Sequence, residues 1–124
     1  MSECKYMEEI LVIDDNEGIT ETIHHIFKEV FAEKYTVTTF NDSELAFEYY
    51  KNNGPFDKII LDLDMPKLSG DTMIPMIRDL HQNQKILIIT GKDDLSLEQS
   101  LYESYPEYKI LKKPFSLEDF TQEF

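Results

Sequence analysis

The feature that most constrains the fold of this chain is a regular alternation between two apolar patterns. Short β-branched and apolar runs, which are typical of buried strands, are each followed by a segment whose apolar residues recur at helical spacing. The first helical segment carries Ile19, Ile23, Ile26, Phe27 and Val30 on one face. The strands predicted in this way are residues 10–13, 35–40, 58–61, 85–90 and 108–111.

Five strands that alternate with five helices predict an α/β fold. The expected architecture is a doubly wound, five-stranded parallel sheet with right-handed crossovers and helices on both faces. We expect Ser43 and Ser96 to cap the second and fourth helices, and Pro75 to lie in the first turn of the third. Only 11 residues follow Lys113, so the last helix is predicted to be short.

Composition restricts the classes of function. The 124 residues fit one domain, predicted to span residues 1–124 with a lead at residues 1–8. A formal charge of −13 would repel nucleic-acid phosphates, so direct binding to nucleic acid is not expected. No apolar stretch approaches the ~20 residues that cross a bilayer, and no signal peptide is visible. With Cys4 as the single cysteine, these features predict a cytoplasmic protein without an internal disulfide.

Polar residues follow the predicted strands at their carboxyl ends. Asp14 and Asp15 end the first strand, Asp62 the third and Thr90 the fourth, while Lys113 follows the fifth. The carboxyl ends of parallel strands share one edge of the sheet, where the functional crevice of such folds lies. Three carboxylates at one edge repel each other, and a hard cation such as Mg²⁺ or Mn²⁺ relieves that repulsion. The pattern therefore predicts a divalent-cation site.

Each of these residues also has a plain structural interpretation. Asp14, Asp15 or Asn16 could cap the first helix, Thr90 could be an ordinary strand end, and Lys113 could be a solvated lysine. Their joint placement favours a reaction centre instead. A carboxylate beside Mg²⁺ is a nucleophile towards phosphorus, and a transferred phosphoryl group needs a cation, a hydroxyl and an ammonium as partners.

Four sequence blocks resemble those of the response-regulator receivers of two-component signalling, including the single-domain chemotaxis regulators. The blocks are I-L-V-I-D-D, D-K-I-I-L-D-L-D-M-P-K-L-S-G, I-I-T-G and K-K-P-F-S, and they occur in this order within residues 10–120. Pro66 and Gly70 follow Asp62 by 4 and 8 residues, which is receiver-like spacing. The resemblance implies a flavodoxin-like strand order 2-1-3-4-5.

The resemblance also implies a function and the residues that perform it. Asp62 would take a phosphoryl group from a histidine kinase or a histidine phosphotransfer protein. Asp15, Asp62 and the backbone carbonyl of Asp64 would bind Mg²⁺, with Asp14 acting through a metal-bound water. The domain would signal by a conformational change to a downstream protein or a fused output domain. It would not be an enzyme in the ordinary sense, since it would catalyse only its own phosphorylation and slow dephosphorylation.

Further residues would act on the phosphoryl group or modulate its effects. Lys113 would pair with the phosphoryl group, and Thr90 would hydrogen-bond to it and shift when it arrives. The Lys113–Pro114 peptide would be cis. Asp64 and Lys92 occupy variable positions that in the family tune the lifetime of the phosphoryl group, and their opposite charges should face each other across the mouth of the site. The pair could shield the phosphoryl group from water, or it could be an ordinary solvent-exposed ion pair.

The chain departs from the family pattern at its output side. Ile110 occupies a position that is often aromatic in receivers, which puts the familiar Thr-to-aromatic switch in doubt, and Tyr108 is the candidate substitute. The usual small turn before the fifth strand is replaced by S-Y-P-E at residues 104–107. The short last helix implies either a reduced output face or a piece of a longer protein.

Three rival interpretations share part of the pattern. The block I-I-L-D-L-D also resembles the first motif of haloacid-dehalogenase-type phosphatases, but here an acidic pair precedes that motif and no cap domain is predicted. A pseudo-receiver that binds without being phosphorylated would not need Asp62, Thr90 and Lys113 together. A flavodoxin-like flavin binder would need a phosphate-cradling loop after the first strand, where D-D-N-E would repel the phosphate.

Overall fold

Strands and helices alternate along the chain as the apolar pattern predicts. The computed structural model of the protein describes residues 7–124. Cys4 and most of the predicted lead lie outside the described residues, and the first strand already includes Glu8. The elements are β1 Glu8–Ile13, α1 Glu17–Val30, β2 Tyr35–Phe40, α2 Ser43–Asn53, β3 Lys58–Asp62, α3 Gly70–Leu80, β4 Ile86–Thr90, α4 Leu95–Ser104, β5 Lys109–Lys112 and α5 Leu117–Thr121.

The five strands form one parallel sheet in the order β2-β1-β3-β4-β5. This order confirms the predicted flavodoxin-like, doubly wound fold. The inner strands are covered on both faces, which is why they read as nearly continuous apolar runs. Every residue of β4, from Ile86 to Thr90, is buried.

Each face of the sheet has its own core. The helices α1 and α5 cover one face, with Ile23, Phe27 and Phe120 against the strands. The helices α2, α3 and α4 cover the other, with Tyr50 and Leu101 among the buried residues. Within residues 7–124, no helix is long and apolar enough to span a bilayer.

Helix α5 has only 5 residues, and an aromatic cluster holds it in place. Phe120 and Phe124 pack against rings from α1, the turn after it and β2, with ring centroids 4.9–6.2 Å apart. Aromatic pairs of this kind add about 0.5–1.5 kcal/mol each beyond the area that they bury. The prediction of a short last helix is confirmed, and the cluster explains how so short a helix stays docked.

Three local predictions about helix ends are wrong. Asp42, not Ser43, caps α2 by accepting the N–H groups of Glu44 and Leu45 at 3.0 and 3.1 Å. Asp94, not Ser96, caps α4 by accepting the Leu97 N–H at 3.0 Å. In both places an aspartate lies just ahead of the serine and satisfies the same donors, since Asp and Ser cap about equally well.

Pro75 is the third correction. It lies inside α3 and not in its first turn, because that helix already begins at Gly70. Pro75 has no N–H to donate to the Asp71 carbonyl, and it is exposed, so the missing bond faces water.

Gly70 fixes how closely α3 approaches the end of β3. A Cβ on Gly70 would overlap the Asp62 carbonyl oxygen and lie 2.8 Å from the Leu63 Cα. Both neighbours are backbone atoms, which cannot rotate away. The Gly70 N–H donates to the Leu63 carbonyl at 3.0 Å, so this contact anchors the loop that follows Asp62.

We expect Gly70→Ala to destabilise the fold by roughly 1–3 kcal/mol, because the added methyl group forces β3 and α3 apart. Urea unfolding would measure the change. Gly91→Ala is the matched control, since its Cβ would meet only Lys113 side-chain atoms at 3.8–3.9 Å. An equal loss of unfolding free energy in both variants, or no loss in Gly70→Ala, would contradict the role given to this contact.

Candidate functional site

The carboxyl edge of the sheet gathers the polar residues that the sequence predicts for it. Asp14 and Asp15 follow β1, Asp62 and Thr90 end β3 and β4, and Lys113 follows β5. One carboxylate oxygen from each of the three aspartates lies within 4.8 Å of the other two. Asp14 and Asp62 are buried, whereas Asp15 is exposed. The cluster is therefore open to solvent on the Asp15 side.

Asp14 is held rigidly by its surroundings. Its Oδ1 accepts the Asn16 N–H at 2.8 Å, and its carbonyl accepts the Asn41 side-chain amide at 2.8 Å. Asn16 caps α1 by accepting the Ile19 N–H at 3.2 Å. The capping task falls to Asn16, which leaves the carboxylates of Asp14 and Asp15 for the cluster.

Lys113 supplies the cluster with its positive charge. Its Nζ lies 2.8 Å from Asp14 Oδ2 and 3.4 Å from Asp62 Oδ1. Burial alone would lower the pKa of Lys113, but the close contact with Asp14 and the charge of Asp62 outweigh it and raise that pKa. The Lys113–Pro114 peptide is cis, and the Lys113 N–H donates to the Thr90 carbonyl at 2.8 Å.

Asp62 is the carboxyl whose proton affinity is most perturbed by this arrangement. It is 1% exposed, and its Oδ1 accepts the Asp64 N–H at 3.3 Å. Burial, together with the charge of Asp14, raises the pKa of Asp62 to about 6, although Lys113 partly offsets the effect. A buried carboxylate with an excess of negative charge around it attracts any further cation.

The donor set suits a divalent cation of the Mg²⁺ class. Its ligand atoms are carboxylate oxygens, which hard cations prefer. Asp14 Oδ2 is buried and has no well-directed hydrogen bond within residues 7–124. Lys113 lies close to this oxygen but is poorly aligned with it, so the contact is an ion pair rather than a directed bond. An oxygen left in this state has a lone pair available to a metal ion or a metal-bound water.

Thr90 lies at the end of β4 and is buried. Its Oγ1 accepts the N–H of Lys92 at 3.2 Å, so its own hydroxyl hydrogen is not committed by this bond. The hydroxyl is therefore available as a donor to an anion at the carboxyl edge.

Asp64 and Lys92 meet across the mouth of the site, as expected. Asp64 Oδ1 and Lys92 Nζ are 3.4 Å apart, and both side chains are more than half exposed. They line one wall of a crevice of about 200 Å³ that also contacts Thr90. The structure thus brings the two residues together beside the cluster, while their influence on a phosphoryl group stays a prediction.

Ile110 and Tyr108 lie in different surroundings. Ile110 is half-buried in β5 and pairs with Ile88. Tyr108 precedes β5 at the opposite edge of the sheet, where its hydroxyl donates to the Gln84 carbonyl at 3.4 Å and accepts from Arg78 at 2.9 Å. This conformation places Tyr108 away from Thr90, and a role for it in the switch stays a prediction.

Three supporting residues have roles that the sequence does not reveal. Asn41 connects the end of β2 to the Asp14 carbonyl and to the Thr20 hydroxyl. Ser43 is buried and braces the loop after β3, since it donates to the Pro66 carbonyl and accepts the Leu68 N–H, both at 3.1 Å. Lys112 contacts the loop after β4. All three act between elements that are distant in the chain, which local patterns do not reveal.

Fold and site together define a flavodoxin-like domain with an acidic, lysine-paired centre at the carboxyl edge of its sheet. Residues 10–124 match the model of the response regulator receiver domain. The chain therefore belongs to the response regulator receiver family, whose members are phosphoacceptor domains of two-component signalling that bind Mg²⁺ in an acidic pocket.

Similar proteins agree with this assignment. Response regulator MprA of Mycobacterium sp. (strain KMS) is 29% identical over 110 residues, which are 89% of this chain and 46% of that protein. The chain thus spans about half the length of the curated relatives it matches. A response regulator receiver domain protein from Clostridium thermocellum has a TM-score of 0.79 and 27% identity, covering 94% of this chain and 90% of that one. The chemotaxis response regulator CheY4 of Vibrio cholerae shares the fold, with a TM-score of 0.80, 24% identity, and coverage of 95% and 96%.

The raised pKa of Asp62 leads to a prediction about stability. A carboxyl whose pKa is higher in the folded state favours folding only while it is protonated, so its ionisation destabilises the fold as pH rises from about 4 to about 6. In the absence of divalent cations, we expect Asp62→Asn to be more stable than the parent by about 1–3 kcal/mol at pH 7.

Urea unfolding at several pH values would check this expectation. The difference in the free energy of unfolding between Asp62→Asn and the parent should widen from pH 5 to pH 7 and then stay constant. Asp71→Asn, which changes an exposed aspartate, is the control and should show no such difference. If this difference is absent, or narrows as pH rises, burial and the charge of Asp14 do not destabilise the ionised Asp62 carboxylate.

Proposed function

We propose that Asp62 is the phosphoacceptor of this receiver domain. The observation that carries the proposal is the position of the Lys113 ammonium, which lies against both Asp14 and Asp62 at the carboxyl edge. An ammonium in this position neutralises the acceptor and is at hand for the oxygens of an arriving phosphoryl group.

The proposed reaction transfers a phosphoryl group from a phosphohistidine to Asp62. A carboxylate oxygen of Asp62 attacks the phosphorus of a phosphohistidine, the new O–P bond forms, and the P–N bond breaks. The electron pair of that bond leaves with the imidazole nitrogen. Lys113 and the Thr90 hydroxyl hold the oxygens of the transferred group, because one is a cation and the other an uncommitted donor.

Asp14, Asp15, Asp62 and the backbone carbonyl of Asp64 are the groups that would hold Mg²⁺ or Mn²⁺, with Asp14 acting through a bound water. When bound, the ion supplies the positive charge that three carboxylates and a phosphoryl group require. The lone pair of Asp14 Oδ2 and the exposure of Asp15 support this assignment.

The donor and the receiver of the signal are also proposals. We infer that a histidine kinase or a histidine phosphotransfer protein supplies the phosphoryl group. Residues 1–124 would act as one receiver unit, which passes the signal to a downstream protein or to a fused output domain. The domain would turn over only its own phosphoryl group, by slow hydrolysis, and would not act on other phosphate esters.

Ile110 favours a modest output response. A phosphoryl group shifts a conformational equilibrium only by its differential interaction with the two states. An isoleucine has no ring or hydroxyl that could follow a movement of Thr90, so we propose that the shift is smaller than in receivers with an aromatic residue there. The position of Tyr108 at the far edge supports this view, because its hydroxyl is engaged by Arg78 and Gln84.

Incubation with acetyl phosphate and Mg²⁺ tests the phosphoacceptor assignment. We expect intact mass to show one added phosphoryl group in the parent and none in Asp62→Asn, because the amide is not a nucleophile towards phosphorus. Asp79→Asn, which changes an exposed aspartate of α3, is the matched control and should still be labelled. Undiminished labelling of Asp62→Asn would refute the assignment, and no labelling of the parent would favour a non-phosphorylated binding module.

The Asp64–Lys92 pair is proposed to shield the aspartyl phosphate from water. A solvent-exposed ion pair contributes at most ~1 kcal/mol to stability, so any importance of the pair lies in access to the site. We expect Asp64→Ala and Lys92→Ala each to speed loss of the phosphoryl group. The double variant should be no faster than the quicker single variant, since either change opens the same barrier.

The loss of the added phosphoryl mass over time measures these rates. Control changes at the exposed Glu48–Lys51 pair of α2 should leave the rate as it is. Multiplicative effects of the two single changes, or an unaltered rate, would show that Asp64 and Lys92 do not act as one barrier.

A further inference from the structure

Lys112, the neighbour of Lys113, has an ammonium group with an acceptor for each of its three hydrogens. Its Nζ donates to the Lys92 carbonyl at 2.7 Å, to Glu98 Oε2 at 2.7 Å and to Asp93 Oδ1 at 2.9 Å. An ammonium has three hydrogens, so these three acceptors can account for all of them. The hydrogen bonds to Glu98 and Asp93 raise the pKa of Lys112, which keeps it charged.

The three contacts are not equivalent. Asp93 is 95% exposed at its side chain, so water competes with this contact and it contributes little. Glu98 is only 18% exposed and lies in the first turn of α4. The Lys92 carbonyl belongs to the loop between β4 and α4. Lys112 thus ties the end of β5 to that loop and to the start of α4.

The loop held by Lys112 also carries the hydrogen bond to Thr90. The Lys92 N–H donates to Thr90 Oγ1, while the Lys92 carbonyl accepts from Lys112. Residue 92 is therefore fixed on both sides, by the threonine of the site and by the lysine of β5. A displacement of the Thr90 hydroxyl that carries Lys92 along would have to break the contacts of Lys112.

We propose that Lys112 is a positioning residue that latches the β4–α4 loop, and through it the Thr90 hydroxyl, in the conformation of the unphosphorylated domain. The inference rests on the proposed function and adds to it a contact that opposes movement of the loop on phosphorylation. Phosphorylation must overcome the Lys112–Glu98 contact to move the loop. By linkage, a protein that lacks the Lys112–Glu98 contact binds a phosphoryl group or its analogue more tightly. The reason is that less of the binding free energy is spent on releasing the loop.

Beryllofluoride with Mg²⁺ serves as the phosphoryl analogue in the test. Lys112→Met alone removes a positive charge near an anion site, which would weaken binding for a trivial reason. The double variant Lys112→Met/Glu98→Gln removes one charge of each sign and keeps the net charge. Its matched control is Lys51→Met/Glu48→Gln, which removes an exposed ion pair of α2.

We expect Lys112→Met/Glu98→Gln, called the latch variant below, to bind beryllofluoride about fivefold more tightly than the parent in an NMR titration. This factor lies near the low end of typical coupling between sites. The control pair should bind like the parent, and Lys112→Arg should largely restore parental affinity because it keeps the charge and several donors. An affinity of the latch variant within twofold of the parent, or weaker, would overturn the inference.

Amide hydrogen exchange without beryllofluoride gives an independent readout. Loss of the latch should speed exchange at residues 92–98 and leave residues 59–61 of β3 unchanged, whereas unchanged exchange at 92–98 would also overturn the inference. If the latch variant loses its fold, Glu98→Gln is compared by the same two measurements with Glu48→Gln, which also removes one negative charge. Failure of the parent to bind beryllofluoride, or equal binding by Asp62→Asn, would overturn the proposed function and the latch with it. Parental binding that requires Asp62 but ignores the latch would overturn the latch alone.

Discussion

The structure depends on how it keeps two buried carboxylates of like charge next to each other. Asp14 and Asp62 lie at the ends of adjacent strands, and neither is accessible enough for water to screen its charge. Lys113 reaches both, and its ammonium is the cation that makes the arrangement tolerable. One positive charge does not balance the two buried carboxylates, and Asp15 adds a third negative charge, so the centre retains an attraction for a further cation. That residual attraction is the physical basis of the proposed phosphoryl chemistry.

The parallel sheet makes this arrangement possible. All five strands end at the same edge, so the site residues, which come from the ends of β1, β3, β4 and β5, meet without any long loop. The Lys113 N–H donates to the Thr90 carbonyl, which sets the lysine beside β4. Lys112 then points to the loop and helix that follow β4. Two adjacent lysines therefore have different tasks: Lys113 offsets part of the negative charge of the centre, and Lys112 contacts the loop and helix that would respond to it.

Much of the fold and of the site could be predicted from the sequence, because both follow from regular patterns. Buried parallel strands give apolar runs, and the residue that ends each run must lie at the common edge, which is how Asp62 and Thr90 were located. Helix caps were less predictable where two capable residues are neighbours, as with Asp42 and Ser43. The contacts of Lys112 could not be predicted, since they join residues 14–20 positions apart through side-chain geometry.

The charge arrangement of this edge is tested most directly by the titration of the Asp62 carboxyl, followed by carbon NMR with labelled aspartate and assigned with the Asp62→Asn variant. Without divalent cations, we expect the pKa of Asp62 to be about 6, raised by burial and by the charge of Asp14. Saturating Mg²⁺ should lower it below the ordinary aspartate value of about 3.9, because a bound cation favours the ionised form. An ordinary pKa that Mg²⁺ leaves unchanged would contradict the claim that this edge is a charge-stressed centre built to hold a cation.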